Sequence, residues 1–364
     1  MRFARVEVNN VRNIVTATLT LAPTFNLITG PNGAGKTTLL ECLHLLSRAR
    51  SFRSGVLNSL ISHDESHFLV AANCVQEERT FRVGIQKTRS TYIQLRVDGV
   101  NVRQVSQLTR LVPLQTFLPD APDLVFGSPT LRRSWLNWSV FHSDSHFIEL
   151  HRVFLRLLQQ RNRAIQQRSN DLATWTAKFV EKAEAITALR KQHLLGLDEH
   201  FQRLMKKLNP DLNVSLQYLP GWSEDSLLES LNKDHNFQIK YRVTRLGPHR
   251  ADVRIDVVDG NDGKRLGLAS RILSRGQGKL VACALKLAQT EYVKQFGSAS
   301  VLLLDDVATE FDEEFARRFY RTVAEMGTQV IATTAQDPES VLRSLKSTTN
   351  QKLFSIQQGR LTSY

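Results

Sequence analysis

Gly30-Pro31-Asn32-Gly33-Ala34-Gly35-Lys36-Thr37, followed at once by Thr38-Leu39-Leu40-Glu41, sets glycines, a lysine and a hydroxyl at a spacing suited to one kind of chemistry. The glycines let the backbone curl without Cβ clashes, so successive N–H groups point inward at a polyphosphate. Lys36 adds a mobile charge for the β- and γ-phosphates, and the Thr37 hydroxyl is a ligand for Mg²⁺. Gly, four residues, Gly-Lys-Thr is the pattern of a phosphate-binding loop. It implies ATP or GTP, held by Asn32, Gly33, Ala34, Gly35, Lys36, Thr37 and Thr38. The flanks agree. Residues 24–29 read as a buried strand feeding in, and Leu39, Leu40, Leu43 and Leu46 form a helical stripe running out, which puts the phosphates at a helix N-terminus.

Two further stretches carry chemistry. Val301-Leu302-Leu303-Leu304 is an apolar strand that ends in Asp305-Asp306. Such a run places an acid at the carboxyl edge of a sheet, where Asp305 would hold Mg²⁺ directly or through water. Asp306 is the candidate for polarising an attacking water. An apolar run ending in two acids says little alone, since many strands end in acidic turns; the phosphate loop gives it meaning. Leu273-Ser274-Arg275-Gly276-Gln277-Gly278-Lys279 opens a helix with Leu280, Ala284, Leu287 and Ala288 on one face. From this segment alone Ser274 suits a plain N-cap as well as a site residue.

The rest of the chain must position these groups. Residues 3–8, 14–21, 68–74, 80–85 and 93–97 are β-rich and partly alternating, and Asp98-Gly99 signals a hairpin. Pro119, Pro122 and Pro129 punctuate an irregular segment, after which residues 131–208 turn helical. Helical spacing relates Phe147, Leu150, Phe154, Leu157 and Leu158, and again Leu172, Trp175, Phe179, Ala183, Ile186 and Leu189. The longest helix, residues 171–208, would span roughly 57 Å at ~1.5 Å per residue, a short arm and not a long coiled coil. Strands return at 214–218, 237–243 and 253–258, and strand and helix alternate from 301 to 345. One nucleotide-binding domain, residues 1–116 and 237–364, is thus split by a mainly helical lobe at 117–236.

The chain has 364 residues with 48 Lys+Arg against 35 Asp+Glu, a formal charge of +13. That surplus suits a polyanion, because Lys/Arg contacts to phosphates release condensed counterions; a generally basic protein without such a partner is the plainer alternative. No segment approaches ~18 consecutive apolar residues, so no membrane partner is expected. Met1-Arg2-Phe3-Ala4-Arg5 enters a strand pattern directly and lacks a signal-peptide core. Cys42, Cys74 and Cys283 are far apart in apolar settings and fit neither a disulfide framework nor a zinc site. The expectation is a cytoplasmic, nucleoid-associated protein.

Ser274-Arg275-Gly276-Gln277 ahead of the acidic strand resembles the signature of ABC-type ATPases. In that family the signature meets the γ-phosphate held by the other subunit, so the resemblance implies nucleotide-binding roles for Ser274, Gly276 and Gln277 in an ATP-dependent homodimer. Arg12, within Val8-Asn9-Asn10-Val11-Arg12-Asn13, is similar to the Asn-Phe-Arg segment opening SMC-type and RecF heads, with Val11 in place of the aromatic. Leu246-Gly247-Pro248-His249-Arg250-Ala251-Asp252 and Asp305-Asp306-Val307-Ala308-Thr309-Glu310-Phe311-Asp312 resemble the bacterial RecF family. So do Arg50-Ser51-Phe52-Arg53, Arg132-Arg133-Ser134-Trp135-Leu136-Asn137-Trp138 and Gln160-Arg161-Asn162, and the matches keep their order from end to end.

The resemblance implies an α/β phosphate-loop fold of the ABC-ATPase head type, with a mixed sheet, an antiparallel β layer and an inserted helical lobe. It implies that Gln115 is the Q-loop glutamine, beside Mg²⁺ and the γ-phosphate, and that Asp312 is the D-loop aspartate at a dimer interface. With Asp306 and Lys36, Gln115 completes the expected catalytic set. Asp306 stands where transporters carry Glu, one methylene longer, so slow hydrolysis is expected. Thr333-Thr334 stands where transporters carry the switch His. His249 suits a structural turn as well as a functional role, Arg250 has no assigned one, and Arg50 and Arg53 fit solvated residues equally.

The function implied is an ATP-dependent switch on double-stranded and gapped DNA in recombinational repair, helping with RecO and RecR to load RecA. Two alternatives come from other classes. A transporter ATPase subunit is disfavoured by the antiparallel layer, the absent switch His and the basic surplus. An SMC-type structural clamp needs far longer arms and a hinge. Nuclease chemistry has no separate metal-ligand cluster to support it.

Overall fold

The computed structural model describes residues 1–90, 92–223, 226–307, 311–335, 337–345 and 350–363, so Ala308, Thr309 and Glu310 of the acidic motif lie outside the described residues. The chain separates into two compact units, residues 1–121 with 297–364, and residues 122–296.

The first unit begins with β1 (Arg2–Val11), β2 (Ile14–Thr20), β3 (Phe25–Thr29), α1 (Lys36–Arg48), β4 (His67–Gln76), β5 (Arg79–Thr88), β6 (Ile93–Val97), β7 (Val100–Asn101), α2 (Val105–Leu111) and β8 (Leu114–Phe117). The second unit holds α3 (Asp123–Phe126), α4 (Pro129–Ser143), α5 (Phe147–Gln167), α6 (Leu172–Leu208), β9 (Val214–Leu219), α7 (Leu227–Lys233), α8 (His235–Tyr241), β10 (Asp252–Val258), β11 (Arg265–Leu268), α9 (Ala269–Ile272) and α10 (Arg275–Lys294). The first unit resumes with β12 (Val301–Asp305), α11 (Glu313–Glu325), β13 (Val330–Thr334), α12 (Pro338–Leu342), β14 (Gln351–Gln357) and β15 (Arg360–Ser363).

Two sheets build the first unit. One is antiparallel throughout in the order β2-β1-β4-β5-β6-β7; the other runs β15-β14-β3-β13-β12-β8, parallel except for the β14–β15 hairpin. Sequence pattern explains the difference. Phe3, Val6, Val8 and Val11 of β1 are buried between more exposed neighbours, as in a sheet with one solvated face. β12 and β13 are buried at every position, as parallel strands covered on both faces require. Helix α1 lies between the sheets: Leu39, Leu40, Leu43 and Leu46 share one core with Phe68, Val70 and Val83 of the antiparallel layer and with Ile28, Leu303 and Ile331 of the parallel strands. The β6–β7 turn is made by Asp98 at φ 49° and Gly99 at φ 81°, the two left-handed residues that a tight hairpin demands.

The second unit packs α5 and α6 around Phe154, Phe179, Ala183 and Ile186, closed by Leu227 and Leu231 of α7. Helix α6 matches the long helix expected from residue 171 to 208. Residues 237–243, expected as a strand, are instead mostly helical in α8. The alternation Phe237, Ile239, Tyr241, Val243 imitates a strand, yet the one fully buried side chain in α8 is Gln238, bonded to Arg161 and to the Leu231 carbonyl. Phe237 and Tyr241, four apart, meet with ring centroids 4.2 Å from each other, a helical contact. The compact units also differ from the expected boundaries, because residues 237–296, signature helix included, fall with the inserted segment. In this unit Gly278 of α10 accommodates Phe126: a Cβ there would sit 2.1 Å from the ring. The hairpin β14–β15 was not anticipated. The three cysteines are free and buried, and among the described residues no helix is long and apolar enough to cross a membrane.

One buried base marks the α1 layer. His44 stacks edge-on to Phe52 at 5.3 Å, and neither ring nitrogen has a hydrogen-bond partner. Burial, with lesser contributions from Arg48 and Arg50, lowers its pKa from 6.5 to about 3. The folded chain therefore resists a proton that the unfolded chain accepts below 6.5, so stability is full above that pH and is lost as pH falls toward about 3. Chemical denaturation should show His44 costing on the order of 2 kcal/mol at about pH 5 relative to pH 7. His44→Leu should lose less stability over that interval than wild type. Equal losses in both chains would place the acid sensitivity elsewhere.

Candidate nucleotide-binding site

The loop after β3 is held from two directions. Gly30 and Gly35 adopt φ 154° and 118°, and a Cβ on either would meet Ile356 of β14, at 2.3 Å from its carbonyl oxygen and 2.9 Å from its Cδ1. Left-handed backbone and close approach both therefore demand glycine. The Asn13 amide, at the β1–β2 turn, donates to the carbonyls of Gly33 and Ala34 at 3.3 and 3.1 Å, and the Gly359 N–H donates to the Ala34 carbonyl at 2.9 Å. Helix α1 starts at Lys36, so the loop feeds straight into a helix N-terminus with its unsatisfied N–H groups. Lys36 is 5% exposed, and its Nζ donates to the carbonyls of Gly30 and Pro31 at 2.7 and 3.2 Å. Both partners are the loop's own neutral oxygens, which phosphate oxygens can replace.

Asp305 ends β12 beside this loop. Its Oδ1 accepts the Thr37 hydroxyl at 3.0 Å and the Thr333 hydroxyl at 2.8 Å. Burial raises the Asp305 pKa; the bonds from Thr333 and Thr37 oppose that, Asp306 adds to it, and Arg53 opposes it. A hydroxyl and a carboxylate oxygen converging beside a phosphate loop fit Mg²⁺, which takes one or two protein oxygens and leaves its other positions to phosphates and water. No cluster of three or more His, Cys, Asp or Glu able to hold a metal occurs among the described residues. Asp306 sits at φ 49°; its N–H donates to Thr333 Oγ1 at 3.1 Å, and its Oδ1 accepts the Ala335 N–H at 3.0 Å. Thr333 thus stands beneath both acids and orients them.

Arg12 is fixed by a buried carboxylate. At φ 53°, it donates Nε and Nη2 to the two oxygens of Glu41, at 2.8 and 3.1 Å, and the Glu41 side chain is fully buried. The Ser51 hydroxyl also donates to Glu41, while its oxygen accepts the N–H groups of Arg53 and Ser54 at 2.9 and 2.8 Å. This relay sets the turn that carries Arg53. A polar cleft of about 290 Å³ results, lined by loop residues between Pro31 and Thr38 together with Arg12, Asn13, Arg53 and Asp306. Three cations around a ring of N–H groups suit a polyphosphate.

Sequence reasoning left Arg53 between a solvated and a functional role and did not weigh Asn13. The run Arg50-Ser51-Phe52-Arg53 was a signal for Arg53; nothing in the residue type pointed to Asn13. Gln115, on β8, pairs in register with Leu302 of β12 and is buried. Asp312 caps α11, accepting the Phe315 N–H at 2.7 Å. Ser274, Gly276 and Gln277 are exposed at the start of α10, in the second unit. Ser274 and Gln277 form a reciprocal capping box there, so the plain cap is real.

Comparison with known proteins places this geometry. The family model described as RecF/RecN/SMC N terminal domain matches residues 2–359. The chain is 35% identical to the DNA replication and repair protein RecF of Azotobacter vinelandii over 367 residues, covering 100% of this chain and 98% of that one. It is 32% identical to the protein of the same name from Shewanella frigidimarina over 366 residues, covering 100% and 99%. Among solved structures it resembles a recombination mediator protein RecF-ATPrS of the RecFOR pathway, with a TM-score of 0.83 at 22% identity over 100% of this chain and 98% of that one. An SMC head bound to the C-winged helix domain of ScpA follows at 0.63 and 14%, again over 100% and 98%. The fold is therefore the ABC-type head shared by RecF and SMC proteins, and at this identity over its full length the chain belongs to the RecF family.

Proposed function

We propose that this chain is an ATP-dependent DNA-binding protein of replication and repair, a slow ATPase whose nucleotide closes a homodimer on DNA. The observation that carries the reading is the convergence of Lys36, Thr37 and Asp306 at one cleft, with Asp305 bonded to Thr37 at 3.0 Å although 268 positions away in sequence. On this reading Lys36 exchanges its carbonyl partners for β- and γ-phosphate oxygens, while loop N–H groups and Arg12 and Arg53 balance the remaining charge. Thr37 and Asp305 would hold Mg²⁺, which would supply positive charge against the phosphates. Gln115, in register with Leu302 and not among the residues lining the cleft, keeps its Q-loop role from the family resemblance alone. Asp306 orients the attacking water and accepts its proton. Its anchoring through the Ala335 N–H and its short side chain favour slow turnover.

Ser274, Gly276, Gln277 and Asp312 complete the site from a second copy, which makes closure depend on ATP. The relatives' shared name supports work in DNA replication and repair, and the pathway named for the solved RecF structure supports RecO and RecR as partners; RecA as the protein loaded rests on the family resemblance alone. The +13 charge supports DNA as ligand, while the duplex and gapped preference and a cytoplasmic place rest on the family resemblance.

The two halves of the composite site separate by mutation. Ser274→Arg should leave nucleotide binding to the monomer intact yet abolish ATP-dependent dimerisation and turnover. Asp306→Asn keeps the oxygen that accepts from Ala335, so it should bind ATP and dimerise while hydrolysis drops by about 10²-fold or more. Light scattering with ATP, alongside single-turnover hydrolysis, reads both; a Ser274→Arg chain that still dimerises would reduce the signature to a helix cap. Lys36→Met should stay folded by circular dichroism and lose ATP-dependent dimerisation together with hydrolysis. Wild-type turnover in that folded variant would refute the site.

A further inference from the structure

The turn that follows α8 carries charge that the nucleotide site does not use. Arg190 of α6, only 2% exposed, donates Nε to Asn137 Oδ1 at 2.9 Å and Nη1 to the Pro248 carbonyl at 2.7 Å. Arg133 of α4 is half-buried and donates Nη1 to the Ala251 carbonyl at 2.8 Å and Nη2 to Thr130 Oγ1 at 2.8 Å. Arg250 is exposed on the turn between those two carbonyls. The nearby acid is already taken: Asp252 accepts Nε and Nη2 of Arg132 at 2.7 and 3.0 Å. Among the described residues Arg133, Arg190 and Arg250 form no ion pair.

A second buried guanidinium backs the same turn. Arg161, 3% exposed, donates to three neutral oxygens, those of Thr176, Thr244 and Gln238. The carbonyl of that same Thr244 lies 2.9 Å from His249 Nε2, while His249 Nδ1 is buried without a partner. Burial lowers the His249 pKa to about 4, Thr244 opposing and Arg250, Arg133 and Arg161 adding to the shift. Burial first, then Arg190, lowers the Arg133 pKa; Asp252 offsets part, and Arg250 and Arg132 add repulsion. Carbonyl oxygens satisfy the N–H donors of these arginines but do not cancel their charge. Asp234 beside Arg161 and Asp252 beside Arg133 offset only part of that charge, and both acids are already paired with other arginines, so the exposed edge of the turn is poised for an anion from outside.

We propose that Arg133 and Arg250 form a docking point for a phosphodiester group of a nucleic-acid backbone, with Arg190 fixing the turn behind them. The inference rests on the DNA-binding reading above and gives it a place on the second unit. A phosphodiester fits because guanidinium forks meet phosphate oxygens in pairs and the chain's charge surplus suits a repeating polyanion. A free nucleotide triphosphate shares that chemistry, and the test separates the two.

The experiment is fluorescence anisotropy of a labelled duplex with the full chain between about 50 and 200 mM salt, beside titration of a fluorescent ATP analogue. Arg250→Gln, a change that removes no hydrogen bond or ion pair among the described residues, should bind duplex about tenfold more weakly and reduce the log–log salt slope by about one. Arg250→Lys should keep most of that slope while losing part of the affinity, and Arg133→Gln should act in the direction of Arg250→Gln. Arg152→Gln, on an exposed pair with Glu149, should match wild type, and ATP affinity should be the same in all. Wild-type duplex affinity and slope in Arg250→Gln overturn the site and leave the DNA reading standing. Loss of ATP affinity in that variant overturns it in favour of a nucleotide. A wild-type chain that binds no duplex overturns both readings.

Discussion

Thr37 and Asp305 stand 268 residues apart in sequence and 3.0 Å apart in space, and most of the first unit exists to make that meeting possible. Thr37 sits in the first turn of α1, directly after β3; Asp305 sits at the carboxyl end of β12. The strands are not neighbours. β13 lies between them, parallel to both, and its Thr333 hydroxyl bonds to Asp305 from below. A one-residue slip of either register would turn Asp305 or Thr333 to the opposite face and dismantle the pair. Hydrophobic alternation cannot choose that register, because β12 and β13 are buried on both faces; the bonds among Thr37, Asp305 and Thr333 favour it instead.

A phosphate loop must also keep a conformation with little hydrogen bonding of its own. Here the chain termini supply the restraint. The β1–β2 turn gives the Asn13 amide, and the C-terminal hairpin gives the Gly359 N–H and the wall of Ile356. Gly359 is itself confined, since a Cβ would lie 2.0 Å from the Asn13 carbonyl oxygen. The loop's glycines therefore answer two demands at once, the curl around phosphates and the space taken by β14. Buried Glu41 plays the matching part on the other side, joining Arg12 to the turn that bears Arg53. A preorganised cleft of this kind leaves little to be ordered when phosphate arrives.

Much of this was legible in the sequence wherever local pattern and tertiary role coincide. The glycine spacing, the apolar run into Asp305-Asp306, the Asp-Gly turn and the long α6 repeat each have a short-range cause, and the chain forms them as read. What was not legible depends on distant partners. Asn13 is an ordinary polar residue until folding sets it against Ala34, and Arg53 gains its place only through Ser51 and a buried Glu41. The misread strand at 237–243 fails for the same reason: its period of two is present, but Gln238 is wanted by Arg161 and Leu231, and a helix delivers it. The compact units divide after 296, and not before 237, because α10 packs with α3, α4 and α6, a choice that no composition shift marks.

Ser274 illustrates why a structural role and a functional one need not compete. As an N-cap its oxygen accepts the Gln277 N–H, and the Gln277 Oε1 accepts the Ser274 N–H in return. A hydroxyl has two lone pairs and one proton, so the cap occupies a lone pair and leaves the O–H free to donate. The same count for Gln277 leaves both protons of its amide nitrogen. Both side chains are exposed, and the N–H groups of the first helical turn open in the same direction. The capping box consumes acceptors and presents donors, which is what an anion from another molecule would meet. On the proposed reading, the bonds that start the helix also orient its end for phosphate, and cap and signature would share one electrostatic cause.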